Sequence, residues 1–493
     1  KKAGHITMNY SIIRFVIGKI LFVEALLLIP SLLVGFLYIG EDGSEPIFAL
    51  LKTAGLLLVF SLALSVRKPS RTNLYAREGL VIAGLSWFLL SFFGGLPFVF
   101  NGTLPSLIDA FFETASGFST TGSSVITDIE GVEHAILFWR SFTHLIGGMG
   151  ILVFTLAVLP KTGSESVHIM KAEVPGPIFG KLLSRVRGTA RILYVIYFAM
   201  TGVLIVLLAL SKKMDLFDAC CHAFGAAGTG GFGVKSDSVL FYDSAYIDIV
   251  LGVAMILFGV NFNLYFLMVY RKFKPVLKNE ELRWYLGIIT GAIAVICIFL
   301  WPRYDSFPRM LRDVFFAVSS IITTTGFTTE DFGKWPLITH VVLLILMFCG
   351  AMAGSTGGGL KSSRVAIYVK SAIQEVRQSL SPNRRLPFRF EGKTLDAGIH
   401  RSVFHFLAAY CLIFFVCVLI VSADTEDFMT SFSAVAATFN NIGPGLGEVG
   451  PVETNYFGLN NVSKITLSVA MIAGRLEIFP VLILFAPKTW HKA

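Results

Sequence analysis

Apolar runs about as long as a bilayer is thick recur through the chain, separated by short polar stretches. They fall at 12–38, 47–66, 79–100, 134–159, 192–210, 245–270, 284–301, 337–370, 402–421 and 465–485. Roughly 20 apolar helical residues cross about 30 Å of hydrocarbon, so each run predicts a spanning helix. Four of the gaps also contain a shorter amphipathic segment, at 104–117, 215–227, 307–322 and 425–438. None of these is long enough to cross. Each is expected to enter the membrane and turn back to the side it came from.

A glycine-bearing stretch follows every short segment. The four read Thr120-Thr121-Gly122-Ser123, Thr229-Gly230-Gly231-Phe232, Thr324-Thr325-Gly326-Phe327 and Asn441-Ile442-Gly443-Pro444. Gly122, Gly231, Gly326 and Gly443 are separated by 109, 95 and 117 residues, so one unit recurs four times. That unit reads as helix, pore helix, glycine loop, helix. The expected division is a helix pair at 1–77 outside the repeat, then units at 78–165, 166–275, 276–378 and 379–493. The fold class this predicts is an all-α polytopic membrane protein, with about ten transmembrane helices and the four units around one pore.

Composition agrees with the pattern. Charged residues make up 15% of the chain, where a soluble protein carries about 25%. Apolar residues reach 54%, and the mean hydropathy is +0.72. The net charge of +9 would suggest a nucleic-acid partner only if its placement were ignored. Loops on the side away from the glycine stretches (67–77, 161–191, 271–283, 361–401) hold 24 Lys or Arg, against 8 on the other side. By the positive-inside rule the glycine stretches face outside, and both termini lie in the cytoplasm of a multi-pass inner-membrane protein. Cysteines 220, 221, 297, 349, 411 and 417 have no spacing framework and read as free thiols rather than disulfides or metal ligands. Residues 1–7 precede a plausible natural start at Met8 and are expected to be a foreign remnant.

The glycine stretches suit a dehydrated monovalent cation. Such an ion needs a ring of oxygens in place of its water, which backbone carbonyls from four loops can supply without fixed charge. Glycine admits φ > 0, letting successive carbonyls point inward. Each pore helix would aim the negative end of its dipole at the axis. One such stretch alone is an ordinary turn; four in matching positions are not.

A second unusual stretch lies in unit three. Gly350, Gly354, Gly357, Gly358 and Gly359 fall within ten residues, with Ser355 and Thr356 among them and Lys361 just beyond. Each glycine costs a helix roughly 1 kcal/mol against alanine, so an unwound intramembrane loop is expected. Arg475 lies within the last apolar run, where an arginine is costly and is either functional or paired, with Glu477 or a pore-helix carbonyl as candidate partners. Arg140 stands open between structural anchoring and function. Asp109, Glu113, Asp218 and Asp313 are read as pore-helix starts, where an acid complements the helix dipole.

Beyond the glycine stretches, the chain contains Ala172-Glu173-Val174-Pro175-Gly176-Pro177, Arg187-Gly188-Thr189-Ala190-Arg191, Gly147-Gly148-Met149-Gly150 and Gly474-Arg475-Leu476-Glu477. On these residues it resembles the Trk/Ktr/HKT superfamily of potassium transporters, and the extra N-terminal helix pair favours its TrkH/TrkG-like branch. The resemblance implies a gated, channel-like potassium uptake pathway in which K⁺ is the transported ion and no other cofactor is needed. The four stretches would bind K⁺ through backbone carbonyls. Residues 350–359 with Arg475 would gate the pore. It also implies a homodimer and a cytoplasmic nucleotide-binding regulator of the TrkA type, docked on loops 161–191 and 382–393. The second of these loops could equally be a positive-inside anchor. Gly122 stands where sodium-preferring members carry serine. Alternatives are Na⁺ permeation or symport of K⁺ coupled to H⁺ or Na⁺. A membrane enzyme is disfavoured because no paired carboxylates or metal-spaced His/Cys cluster occur, and a small-solute carrier would show two matching halves.

Overall fold

The computed structural model describes residues 8–69, 75–150, 186–381, 387–452 and 455–490. Residues 1–7, most of the basic stretch 161–191 and residues 382–386 of the second basic loop lie outside them. Before the repeat come α1 (Tyr10–Leu27), α2 (Ile29–Leu37) and α3 (Glu45–Ser65). Unit one contributes α4 (Ala76–Asn101), α5 (Leu107–Phe118) and α6 (His134–Gly148); unit two contributes α7 (Val186–Ala209), α8 (Leu216–Gly228), α9 (Ala245–Phe258) and α10 (Phe262–Val269). Unit three holds α11 (Glu280–Leu300), α12 (Phe307–Ile322), α13 (Leu337–Cys349) and α14 (Ser362–Leu380). A hairpin of β1 (Arg389–Phe390) and β2 (Lys393–Thr394) leads to unit four: α15 (Ala397–Val421), α16 (Phe428–Phe439), α17 (Asn461–Arg475) and α18 (Phe479–Phe485).

The protein is an all-α membrane fold, as its pattern predicts, but fewer spans are continuous. Among the described residues six helices are long and apolar enough to cross, or seven if the bent pair α9 and α10 counts as one. The expected spans 245–270, 337–370 and 465–485 are each interrupted. Between α9 and α10 the chain bends by 90° at Gly259–Asn261, where Asn261 caps the new helix through its side chain. Between α13 and α14 it is unwound from Gly350 to Lys361. Between α17 and α18, Glu477 and Ile478 take φ of 57° and 68°, and Pro480 opens α18. Proline lacks the N–H an unbroken helix needs and is tolerated in a first turn.

The short helices α5, α8, α12 and α16 are the predicted pore helices, of 12, 13, 16 and 12 residues. Three are capped by a side-chain oxygen: Ser106 accepts from the Asp109 N–H, Asp215 from Asp218 and Asp427 from Thr430. Pro308 opens the fourth. Such caps satisfy the N–H groups that a helix start leaves unpaired. Each pore helix packs on both long helices of its own unit and also on the second helix of the unit before it. So α8 lies on α6, α12 on α9, α16 on α13, and α5 on α17. The last of these contacts closes the ring. The helices before the repeat stay outside it, with α1 packed on α3 and α4.

Candidate functional site

The pore helices end identically. In each, the residue two before the key glycine is left-handed: Thr120, Thr229, Thr324 and Asn441 have φ of 56°, 57°, 60° and 58°. The next residue donates its N–H back across the last turn, Thr121 to Ser116 O (2.8 Å), Gly230 to Gly225 O (2.8 Å), Thr325 to Ser320 O (2.9 Å) and Ile442 to Ala437 O (2.8 Å). This six-to-one bond closes a Schellman cap, whose left-handed position glycine usually fills. Threonine there is a rare choice, because its branched Cβ crowds the backbone. Such strain, of order 1–3 kcal/mol per residue, persists only where surrounding structure over-determines it.

Gly122, Gly231, Gly326 and Gly443 follow with φ of 88°, 75°, 88° and 103°. Each presses on the carbonyl of the residue before the next unit's glycine. A β-carbon on Gly122 would fall 2.0 Å from Gly230 O, one on Gly231 2.0 Å from Thr325 O, and one on Gly326 2.0 Å from Ile442 O. On Gly443 it would fall 2.7 Å from Thr121 O. The four stretches therefore form a closed ring in chain order. No side chain larger than hydrogen fits at any of the four contacts.

Side chains brace the ring from behind. Glu113 accepts from Arg140 Nε at 2.6 Å, from Ser124 Oγ at 2.9 Å and from the Val125 N–H at 2.9 Å. Arg140 also donates to Gly233 O at 2.9 Å, and its guanidinium lies 3.5 Å from the Phe232 ring centre. This one buried pair joins the backbone just past Gly122 to that just past Gly231. Phe232 stacks on His144 and Phe327 on His222, with ring centres 4.1 and 5.4 Å apart. Between units four and one, Ser123 Oγ donates to Gly443 O at 3.1 Å and Asn441 Nδ2 to Thr121 Oγ1 at 3.0 Å. Tyr456 OH gives Gly443 O a second donor at 2.8 Å.

The unwound loop after α13 packs against the pore-helix ends. The Gly358 N–H donates to Thr324 Oγ1 at 2.6 Å. A β-carbon on Gly358 would fall 2.3 Å from Asn440 O. Lys361, buried, donates to Gly357 O across the loop. Backbone bonds run from Met352 N to Gly259 O and from Phe262 N to Gly354 O, both 3.1 Å, tying the loop to the α9–α10 break. Arg475 is the last residue of α17 and 8% exposed. It donates to Thr356 O of the loop, and to Gly147 O at 2.6 Å and Gly148 O at 2.9 Å at the end of α6. Three carbonyls thus surround one guanidinium. The partners sequence offered for it were Glu477 or a pore-helix carbonyl; Glu477 takes a two-pronged contact from Arg364 at 2.6 and 3.0 Å.

The structure gathers the four predicted glycine stretches into a ring, with Gly357 and Gly358 of the predicted loop pressed on the pore-helix ends and Arg475 bonded to Thr356 beside them. Gly350 and Gly354, at φ of 65° and 77°, supply the loop's turns. The acids expected at pore-helix starts divide. Asp109 and Asp218 occupy first turns, whereas Glu113 and Asp313 lie two turns in and meet arginines, Arg140 at 2.6 Å and Arg312 at 3.1 Å. Asp109 pairs with Lys464 at 2.7 Å, and Tyr242 OH donates to Asp218 at 2.6 Å. Side-chain partners, rather than the helix dipole alone, hold these carboxylates, and for Asp109 the partner comes from unit four. Sequence reasoning missed the bracing roles of Glu113, His144 and His222. Glu113 and His222 both lie nine residues before their unit's key glycine, a shared register that could have singled them out.

Comparison with known proteins gives consistent matches. The sequence profile of the TrkH family, described as cation transport protein, matches residues 49–492. The Trk system potassium uptake protein TrkH of Salmonella typhimurium is 35% identical over 494 residues, covering 98% of this chain and 100% of that protein. The Trk system potassium uptake protein TrkG of Escherichia coli K12 is 36% identical over 430 residues, covering 86% and 87%. Among solved structures, the potassium transporter TrkH from Vibrio parahaemolyticus superimposes with a TM-score of 0.87 at 33% identity, covering 98% of this chain and all of the other.

Proposed function

The chain belongs to the TrkH family of cation transport proteins, transporters rather than enzymes, and from that premise we propose that it carries potassium into the cell through a channel-like filter. The closed ring of Gly122, Gly231, Gly326 and Gly443 carries this reading. Its carbonyls come from four segments at matching φ, with no charged side chain among the sixteen residues of the four stretches. A neutral ring of oxygens replaces the water of a weakly hydrated cation at lower cost than that of a strongly hydrated one. The four-unit division at 78–165, 166–275, 276–378 and 379–493 belongs to the same proposal.

Residues 350–361 with Arg475 form the gate in this reading. The guanidinium places a fixed positive charge among the carbonyls of the loop and of α6, where an emerging cation would meet it. Conduction then requires the loop and Arg475 to move apart. The Lys and Arg distribution supports filters facing outside and both termini in the cytoplasm. By the family resemblance the working form is a homodimer with one pore per subunit, controlled by a cytoplasmic nucleotide-binding partner of the TrkA type.

Bi-ionic recording on the purified protein in planar bilayers tests the filter. Permeability to K⁺ and Rb⁺ well above that to Na⁺ and Li⁺ is expected. Equal permeability would overturn the potassium reading in favour of general cation permeation, and a current that vanishes without a proton or sodium gradient would favour coupled symport.

A further inference from the structure

Glu281 belongs neither to the ring nor to the glycine loop, yet it is the second residue of α11 and 5% exposed. One of its oxygens, Oε1, accepts the Ala353 N–H at 2.7 Å and the Ser363 N–H at 3.2 Å. These residues flank the Gly354–Gly359 run on either side. A single carboxylate oxygen therefore staples both ends of the unwound segment to the first turn of unit three's first helix. Ser363 lies in the first turn of α14, where a carboxylate also meets the positive end of the helix dipole.

Glu281 is itself held from the cytoplasmic side. Its backbone N–H donates to Glu391 Oε1 at 2.9 Å, and the same oxygen accepts from Asn279 Nδ2 at 2.9 Å. In return Glu280 Oε2 accepts the Glu391 N–H at 2.9 Å. Lys370 of α14 bridges Glu280 and the Arg389 carbonyl. Glu391 and Gly392 form the hairpin's two-residue turn, both at positive φ, 53° and 69°. Two left-handed residues define a type I′ turn, which fixes the register of its strands and so the reach of the Glu391 side chain. From the hairpin to the loop, every step is a hydrogen bond between named atoms.

We propose that Glu281 is the positioning residue that seats the gate, and that the β1–β2 hairpin sets Glu281 through Glu391. This rests on the gate reading above and names its control point. Displacing the hairpin by a hydrogen bond's length withdraws the partner of the Glu281 N–H, tilts the first turn of α11, and draws Oε1 from Ala353 and Ser363. The loop then loses the anchor its two ends share. The hairpin lies in a loop rich in Lys and Arg, on the side of the membrane away from the ring, so a cytoplasmic signal reaches it without crossing the pore.

The test uses the full-length protein in planar bilayers, reading open probability with potassium on both sides and the K⁺/Na⁺ permeability ratio with the two ions on opposite sides. Glu281→Ala should raise open probability about fivefold, the factor that follows from losing roughly 1 kcal/mol of hydrogen bonding, with the permeability ratio unchanged. Glu281→Gln keeps an acceptor oxygen and should fall between the two. Glu391→Ala should act in the same direction, and combined with Glu281→Ala it should add nothing further. An unchanged or lowered open probability in Glu281→Ala overturns the proposal, as do multiplying effects of the two substitutions. If Glu281→Ala does not fold, Glu281→Gln and Glu391→Ala decide by the same criteria. Arg475→Ala serves as the reference. If it too is silent, the gate reading fails; if it opens the pore while Glu281→Ala does not, the positioning role alone fails.

Discussion

A β-carbon placed on Gly122 would sit 2.0 Å from the carbonyl oxygen of Gly230, across the boundary between the first two units. The contact and the φ of +88° independently exclude a side chain. Gly122→Ser should therefore displace Gly230 O, one oxygen of the ring. The K⁺/Na⁺ permeability ratio is expected to fall roughly tenfold, equivalent to about 1.4 kcal/mol, within the cost of a strained residue. Bi-ionic reversal potentials read this directly, and an unaltered ratio would remove Gly122 from the selective ring. Gly231→Ala and Gly326→Ala meet the same 2.0 Å limit and should fail similarly, whereas Gly443→Ala, at 2.7 Å, should be the mildest.

The Glu113–Arg140 pair makes a separate prediction. Both side chains are buried, 1% and 2% exposed. Removing one partner leaves an uncompensated buried charge, which typically costs about 3–5 kcal/mol, whereas replacing both with apolar groups can be close to neutral. Arg140→Met and Glu113→Met should each lower the melting temperature in detergent by many degrees. Arg140→Met combined with Glu113→Met should recover part of that loss. Additive losses would show that the pair does not act as a unit.

Much of this was legible in the chain. Recurrence of one glycine every 95 to 117 residues marked the ring, because a backbone that must approach another backbone admits glycine alone. The loop at 350–359 was equally visible, since its glycines conflict with the apolar run around them. What stayed hidden depends on contacts between units. The breaks after α9 and α17 occur with only Gly259 and Asn261, or Pro480, as signals, and apolar continuity outweighed them. The left-handed Thr120, Thr229 and Thr324 were invisible for a different reason. Threonine ordinarily avoids that conformation, and only the closed ring enforces it.

Arg475 ends α17 among three carbonyl oxygens, those of Thr356, Gly147 and Gly148. Hydrogen bonds from a charged donor contribute about 1.5–3 kcal/mol each, so losing this set should release the loop from α6. Arg475→Ala is expected to raise potassium flux into proteoliposomes at least about tenfold, with the permeability ratio preserved. Arg475→Lys keeps the charge but loses the planar fork that reaches both α6 and the loop, and should give an intermediate flux. Wild-type flux in Arg475→Ala would end the assignment of Arg475 to the gate.

The remaining prediction concerns the hydrogen bond that, among the described residues, joins ring and loop directly, from the Gly358 N–H to Thr324 Oγ1 at 2.6 Å. Thr324 has two duties: its backbone closes the α12 cap at φ of 60°, and its hydroxyl holds the loop. Thr324→Ser keeps the hydroxyl and relieves the crowding of a branched Cβ, so both selectivity and open probability should stay near wild type. Thr324→Ala keeps the backbone but leaves the buried Gly358 N–H without its acceptor. At about 1 kcal/mol, that loss should raise open probability some fivefold while the permeability ratio holds. The two readouts separate the duties. A changed ratio with unchanged opening would place the Thr324 side chain in ion selection instead, and the loop would then be held by Arg475 and Glu281 without help from the ring.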